Sequence, residues 1–192
     1  EFELISDVWV VPTWRPTPEK AQKVLRIDPG MAFGTGTHET TQIASLGLQK
    51  IFSKNVLESV LDVGTGTGVL AMLAALLGAS NIVGLELDVE ARRVARENIE
   101  LNKMKNVHIF DHQIEREKNK YELVIANIID GVLIDIQNDL KKCLTDSGTL
   151  LLTGVLSERE HLFLKEFQLP KGYGWVERIA KGEWLGFIGA KQ

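Results

Sequence analysis

Three glycines at alternate positions, Gly64, Gly66 and Gly68, close the apolar run Val60-Leu61-Asp62-Val63 and open the helix-forming run Val69 to Leu77. Glycine tolerates positive φ and leaves the main chain bare, so a ligand lying on such a turn meets the N–H groups of a helix start. About twenty positions on, the strand-like run Asn81 to Leu85 leads into Glu86, where a carboxylate can accept hydrogen bonds from both hydroxyls of a ribose. The chemistry these residues suit is the grip of a nucleoside. Taken alone, the turn could be a tight strand-to-helix connection; the strand before it, the helix after it and the acid downstream point to a ligand. The dinucleotide fingerprint is not met, because it needs glycine or alanine where Val69 stands. Asp88 has a separate task as N-cap of the next helix.

Positioning these residues requires alternating strands and helices. Strands are expected at 82–86, 107–110, 123–126 and 149–155, with helices at 89–101 and 132–144. Strands separated by helices of this length specify a parallel sheet covered on both faces. Ser157-Glu158-Arg159-Glu160 reads as a capping box opening a further helix. Segments 172–180 and 183–190 form a closing hairpin around Lys181-Gly182. In such a sheet ligands bind outside the carboxyl ends of the strands, which here carry Gly64 to Gly68, Glu86, Asp111 and Ala126-Asn127-Ile128-Ile129-Asp130. Residues 1–27 form an N-terminal extension in which Val8 to Val11 and Val24 to Ile27 pair as a β-hairpin, with Trp9 and Trp14 packing it; residues 28–192 form the ligand-binding domain. The stretch 28–42, rich in glycine and hydroxyl residues, lacks the Gly-Lys-Ser/Thr end of a P-loop. It reads either as a functional segment or as a solvated loop capped by Thr37.

The 192-residue chain has room for one sizeable core, and its 44% apolar and 25% charged content is that of a globular domain. A net charge of −4 with scattered basic residues argues against direct nucleic-acid binding by phosphate neutralisation. Arg92, Arg93 and Arg96, interspersed with Glu90, Glu97 and Glu100, read as a solvated helix face. No run is long enough to span a membrane, and one cysteine, Cys143, fits a reducing, cytoplasmic setting. His108 and His112 straddle a strand end, so no metal site is expected.

Leu61-Asp62-Val63-Gly64-Thr65-Gly66-Thr67-Gly68, Glu86 and Asn127 resemble class I S-adenosylmethionine-dependent methyltransferases. Asp28-Pro29-Gly30-Met31-Ala32-Phe33-Gly34-Thr35-Gly36-Thr37-His38-Glu39-Thr40-Thr41, Ala126-Asn127-Ile128 and Glu183-Trp184 narrow the resemblance to the ribosomal protein L11 methyltransferase family. It covers nearly the whole chain. It implies a Rossmann-like α/β fold, with a mostly parallel seven-stranded sheet and an antiparallel C-terminal edge hairpin. It also implies S-adenosylmethionine as cofactor and methylation of lysine or N-terminal amines, with ribosomal protein L11 as protein partner. Thr41, Gly64, Glu86 and Asn127 fall on the family's cofactor-binding positions, with Gly66 and Gly68 completing the turn. Asn127 and the backbone around Ile128 are assigned to positioning the reacting groups, and Phe33, His38 and Trp184 to the substrate pocket. Asp111 either binds the adenine amino group or ends a strand, and His38 either serves as a base or orders a loop. The chain departs from the family at Val63, Thr65 and Thr67, at Glu86, where an aspartate is frequent, and at Ile129 and Asp130, the carboxylate of the latter being expected to alter the acceptor pocket. The family's separate substrate-recognition domain is missing, as in a fragment or a short relative with another substrate. A nicotinamide oxidoreductase on the same crevice and a non-catalytic cofactor-binding module are the competing readings.

Overall fold

The computed structural model describes residues 1–28 and 38–192. Phe33 and the expected Thr37 cap lie outside the described residues. The sequence's apolar runs become β4 (Ser59–Val63), β5 (Asn81–Leu85), β6 (Val107–Phe110), β7 (Tyr121–Asn127) and β8 (Leu144–Leu156). β9 (Tyr173–Lys181) and β10 (Trp184–Lys191) complete a seven-stranded sheet ordered β6-β5-β4-β7-β8-β10-β9. The first five are mutually parallel, and β10 runs antiparallel to both β8 and β9. Leu61 of β4 and Leu123, Val124, Ile125 and Ala126 of β7 are wholly buried, as befits central strands covered on both faces. One core packs α1 (Glu39–Phe52), α2 (Val69–Leu77) and α3 (Val89–Leu101) on one face. The other packs α4 (Asp130–Asp135), α5 (Gln137–Lys142) and α6 (Glu160–Glu166) on the opposite face.

Register brings the strand ends level. Val63 pairs with both Leu85 and Ala126, Leu85 pairs with Phe110, and Asn127 pairs with Thr153. The strand order reverses between β4 and β7, where an open α/β sheet splays into a crevice.

Four expectations are corrected. At the N-terminus the hairpin is β1 (Phe2–Ile5) with β2 (Val8–Val11), turning through Asp7 at φ 68. The two runs expected to form it, β2 and β3 (Lys23–Arg26), pair in parallel. Their connection is long enough to carry the chain back alongside β2, as a parallel pair requires, and Arg26 pins it by donating to the Pro12 and Arg15 carbonyls and the Thr17 hydroxyl. Trp14 is 64% exposed and packs little. The single helix expected over 132–144 is two, broken at Ile136 (φ −92, ψ 7), and Leu144 already belongs to β8. The capping box at Ser157 does not form: a 3-10 turn precedes α6, and the Glu160 carboxylate accepts from Arg178 instead.

Candidate functional site

The glycine turn is shaped by its residues. Gly64, Gly66 and Gly68 have φ of 70, 56 and 82, a left-handed conformation that costs side-chain-bearing residues roughly 1–2 kcal/mol each. The turn is tied to the neighbouring strand, because the Gly64 and Thr65 amides both donate to the Leu85 carbonyl, at 2.8 and 3.0 Å. Glu86, the next residue, therefore stands over the bend. Its Oε2 accepts from the Gly66 amide at 2.8 Å and its Oε1 from the Asp88 amide at 3.0 Å. Asp88 caps α3 as expected, accepting from the Ala91 amide at 2.7 Å. Below the turn, buried Asp62 accepts from the Thr65 hydroxyl at 2.6 Å. Burial pushes its carboxyl up to about 6, the neighbouring Glu86 charge adding to the rise and the Thr65 hydrogen bond opposing it.

A groove of about 250 Å³ opens beside this bend, between Gly64, Glu86 and Leu87 on one side and His112 to Glu115 on the other, with Ile128, Val132 and Ile136 across it. Its lining is mostly apolar, with Glu86 and Gln113 among the polar groups that can give a ligand orientation. Asp111 is exposed at the end of β6 and is not among the lining residues; the positions just after it are. A smaller hollow of about 130 Å³, bordered by Lys54, Thr149 and Ala190, lies toward the opposite end of the strands.

Asn127, at the end of β7, is held from two sides. Its Oδ1 accepts from the Thr153 hydroxyl at 2.8 Å, and its Nδ2 donates to the Thr41 hydroxyl at 3.4 Å. Thr41 and Thr153 are both fully buried. The Ile128 amide donates to the Thr153 carbonyl at 3.1 Å, and the Ile128 side chain overlies Gly64 so closely that an added Cβ there would lie 3.1 Å from it. Asp130 is buried and its carboxylate accepts from Arg159 Nε at 2.6 Å, so it is engaged in an ion pair. His38 caps α1, its Nδ1 meeting the Thr40 amide and hydroxyl. Its ring lies edge-on to Trp184 at 5.5 Å. The strand ends thus gather Gly64, Gly66, Glu86, Asn127 and Ile128, while Thr41, His38 and Trp184 approach from α1 and β10.

Thr153 and Gly154 are the residues that sequence reasoning missed. Their signal was faint: a hydroxyl followed by glycine inside an apolar strand. Among the described residues no group of three or more His, Cys, Asp or Glu side chains could hold a metal ion, and no helix is long and apolar enough to cross a membrane. The site can hold a ribose by a carboxylate, a flat heterocycle in an apolar groove, and a third group beside a fixed amide.

A family model described as ribosomal protein L11 methyltransferase matches residues 2–192. Among curated proteins, the chain is 39% identical over 189 residues to a ribosomal protein L11 methyltransferase of Acetivibrio thermocellus, covering 97% of this chain and 59% of that protein. It is 36% identical to one of Ruminiclostridium cellulolyticum, covering 97% and 60% respectively. The chain therefore spans about three-fifths of the length of these relatives. A crystal structure of ribosomal protein L11 methylase from Lactobacillus delbrueckii subsp. bulgaricus superposes with a TM-score of 0.86 at 29% identity, covering 99% of this chain and 97% of that one.

Proposed function

This chain belongs to the ribosomal protein L11 methyltransferase family, and we propose that it transfers methyl groups from S-adenosylmethionine to lysine or N-terminal amines of ribosomal protein L11. In this reading residues 28–192 are the cofactor-binding unit and residues 1–27 an extension. The observation that carries it is the Glu86 carboxylate meeting the glycine turn at the Gly66 amide. A carboxylate so placed accepts from the two ribose hydroxyls, the bare backbone of Gly64 to Gly68 lets the ligand lie close, and the apolar groove takes the adenine. Gln113 and the backbone beside it are groups on the groove wall that can read the base edge.

When bound, the cofactor would supply a methyl carbon on a sulfonium for in-line attack by the amine, its adenosine held by Glu86 and the bare turn from Gly64 to Gly68. The protein's part is alignment, which for well-oriented groups supplies on the order of 7–11 kcal/mol. The acceptor amine must be neutral, whereas a lysine with a reference pKa near 10.4 is protonated at neutral pH. An apolar surround lowers that value, and Ile128 and Trp184 provide it. Thr153 and Thr41 fix the Asn127 amide, leaving it and the Ile128 backbone to orient the amine. The test is single-turnover transfer of labelled methyl from S-adenosylmethionine to purified ribosomal protein L11. Label on L11 lysine or α-amine supports the reading; label confined to RNA, or none, overturns it.

A further inference from the structure

Arg92 reads in the sequence as one of three arginines on a solvated helix face, and Arg93 fits that description, pairing with Glu90 and Glu97. Arg92 does something else. Its half-buried side chain turns back from α3 over the bend after β5, and Nη1 donates to the Glu86 carbonyl at 2.9 Å and the Leu87 carbonyl at 2.8 Å. It forms no ion pair with any described residue. Arg96, one turn further on, reaches the Ile109 carbonyl of β6 at 3.1 Å.

The Leu87 carbonyl and the Asp88 amide belong to one peptide unit. In a planar trans peptide the C=O and N–H point in opposite directions, so fixing the oxygen also aims the hydrogen. That hydrogen is donated to Glu86 Oε1 at 3.0 Å. The other carboxylate oxygen is already held by the Gly66 amide. We propose that Arg92 is a positioning residue for ribose recognition: by gripping the Glu86 and Leu87 carbonyls it aims the Asp88 amide that holds the Glu86 carboxylate in the orientation the ribose diol needs. This rests on the reading of Glu86 as the ribose acceptor.

The experiment is calorimetric titration of S-adenosylhomocysteine and its 2′,3′-dideoxyribose analogue into wild type, Arg92→Met, Arg92→Lys, Glu86→Gln and the double variant Glu86→Gln/Arg92→Met. Wild type should favour the ribose ligand. Arg92→Met should bind it about tenfold more weakly, as expected for a lost charge-assisted hydrogen bond, while binding of the dideoxy analogue stays nearly unchanged. Arg92→Lys, a single point donor, should fall between, and serves if the Met variant does not fold. In the Glu86→Gln background, Arg92→Met should cost nothing more. If wild type binds both ligands equally, the ribose reading fails and this proposal with it. If wild type discriminates but discrimination survives in Arg92→Met and Arg92→Lys, or both ligands weaken alike, this proposal alone fails.

Discussion

Gly154→Ala tests whether the Ile128 carbonyl is a working part of the acceptor site. Gly154 has φ +95, and an ideal Cβ there would press on the Ile128 carbonyl oxygen and lie 2.8 Å from the carbonyl carbon. Ordinary contact begins near 3.4 Å, so the Ile128 carbonyl carbon must retreat by about 0.6 Å and its oxygen by more. The backbone conformation itself costs about 1–2 kcal/mol, equivalent to roughly 2–8 °C in melting temperature for a chain of this size. A displacement of roughly 1 Å in a reacting geometry costs on the order of 100-fold in rate, so single-turnover methyl transfer should fall about 10- to 100-fold. Gly131→Ala is the control, because nothing lies within 4 Å of its would-be Cβ and the position is helical. Its stability should hold or rise by up to about 1 kcal/mol. A folded Gly154→Ala protein transferring methyl within about twofold of wild type would refute the assignment of the Ile128 backbone.

Two further outcomes follow from buried groups at the same strand ends. Thr153→Val removes the donor to Asn127 Oδ1 and leaves a polar atom poorly satisfied, which should cost about 1–3 kcal/mol in urea unfolding and slow transfer, with Thr153→Ser restoring both; a Val variant with wild-type rate would count against the fixed amide. For Asp62, the folded carboxyl at about 6 lies above its ordinary 3.8, so the native state holds the proton more tightly. Stability is therefore lost as pH rises between those values, by about 3 kcal/mol in all. Asp62→Asn should flatten unfolding free energy between pH 4 and 7, and a slope that persists would show that another group causes it.

What was legible in the sequence was local. The glycine turn and the acid after the next strand are brought together by strand pairing alone, so their spacing along the chain was enough to place them at one edge of the sheet, where the Gly66 amide is found donating to Glu86. Asp88 at a helix start likewise announced its own cap. What was hidden depends on long-range contact. Arg92 shares its composition with Arg93, and only the turn of the chain after β5 separates the two. Leu133, Ile136 and Leu140 keep helical spacing across the break at Ile136, so periodicity could not reveal it. Parallel pairing of β2 with β3 was invisible because short apolar runs carry no direction. Thr153 looked like any threonine in a strand until β8 was placed beside Asn127.

The central claim is that the Glu86 carboxylate and the bare turn from Gly64 to Gly68 form one adenosine-gripping edge. Titration of S-adenosylhomocysteine into wild type and Glu86→Ala tests it most directly. Two hydrogen bonds to a charged acceptor, at about 1.5–3 kcal/mol each, predict a loss of at least about 100-fold in affinity; because the carboxylate also accepts from the Gly66 and Asp88 amides, the melting temperature should fall as well, and the titration is made below the variant's melting transition. Equal affinity in the two proteins would contradict the account.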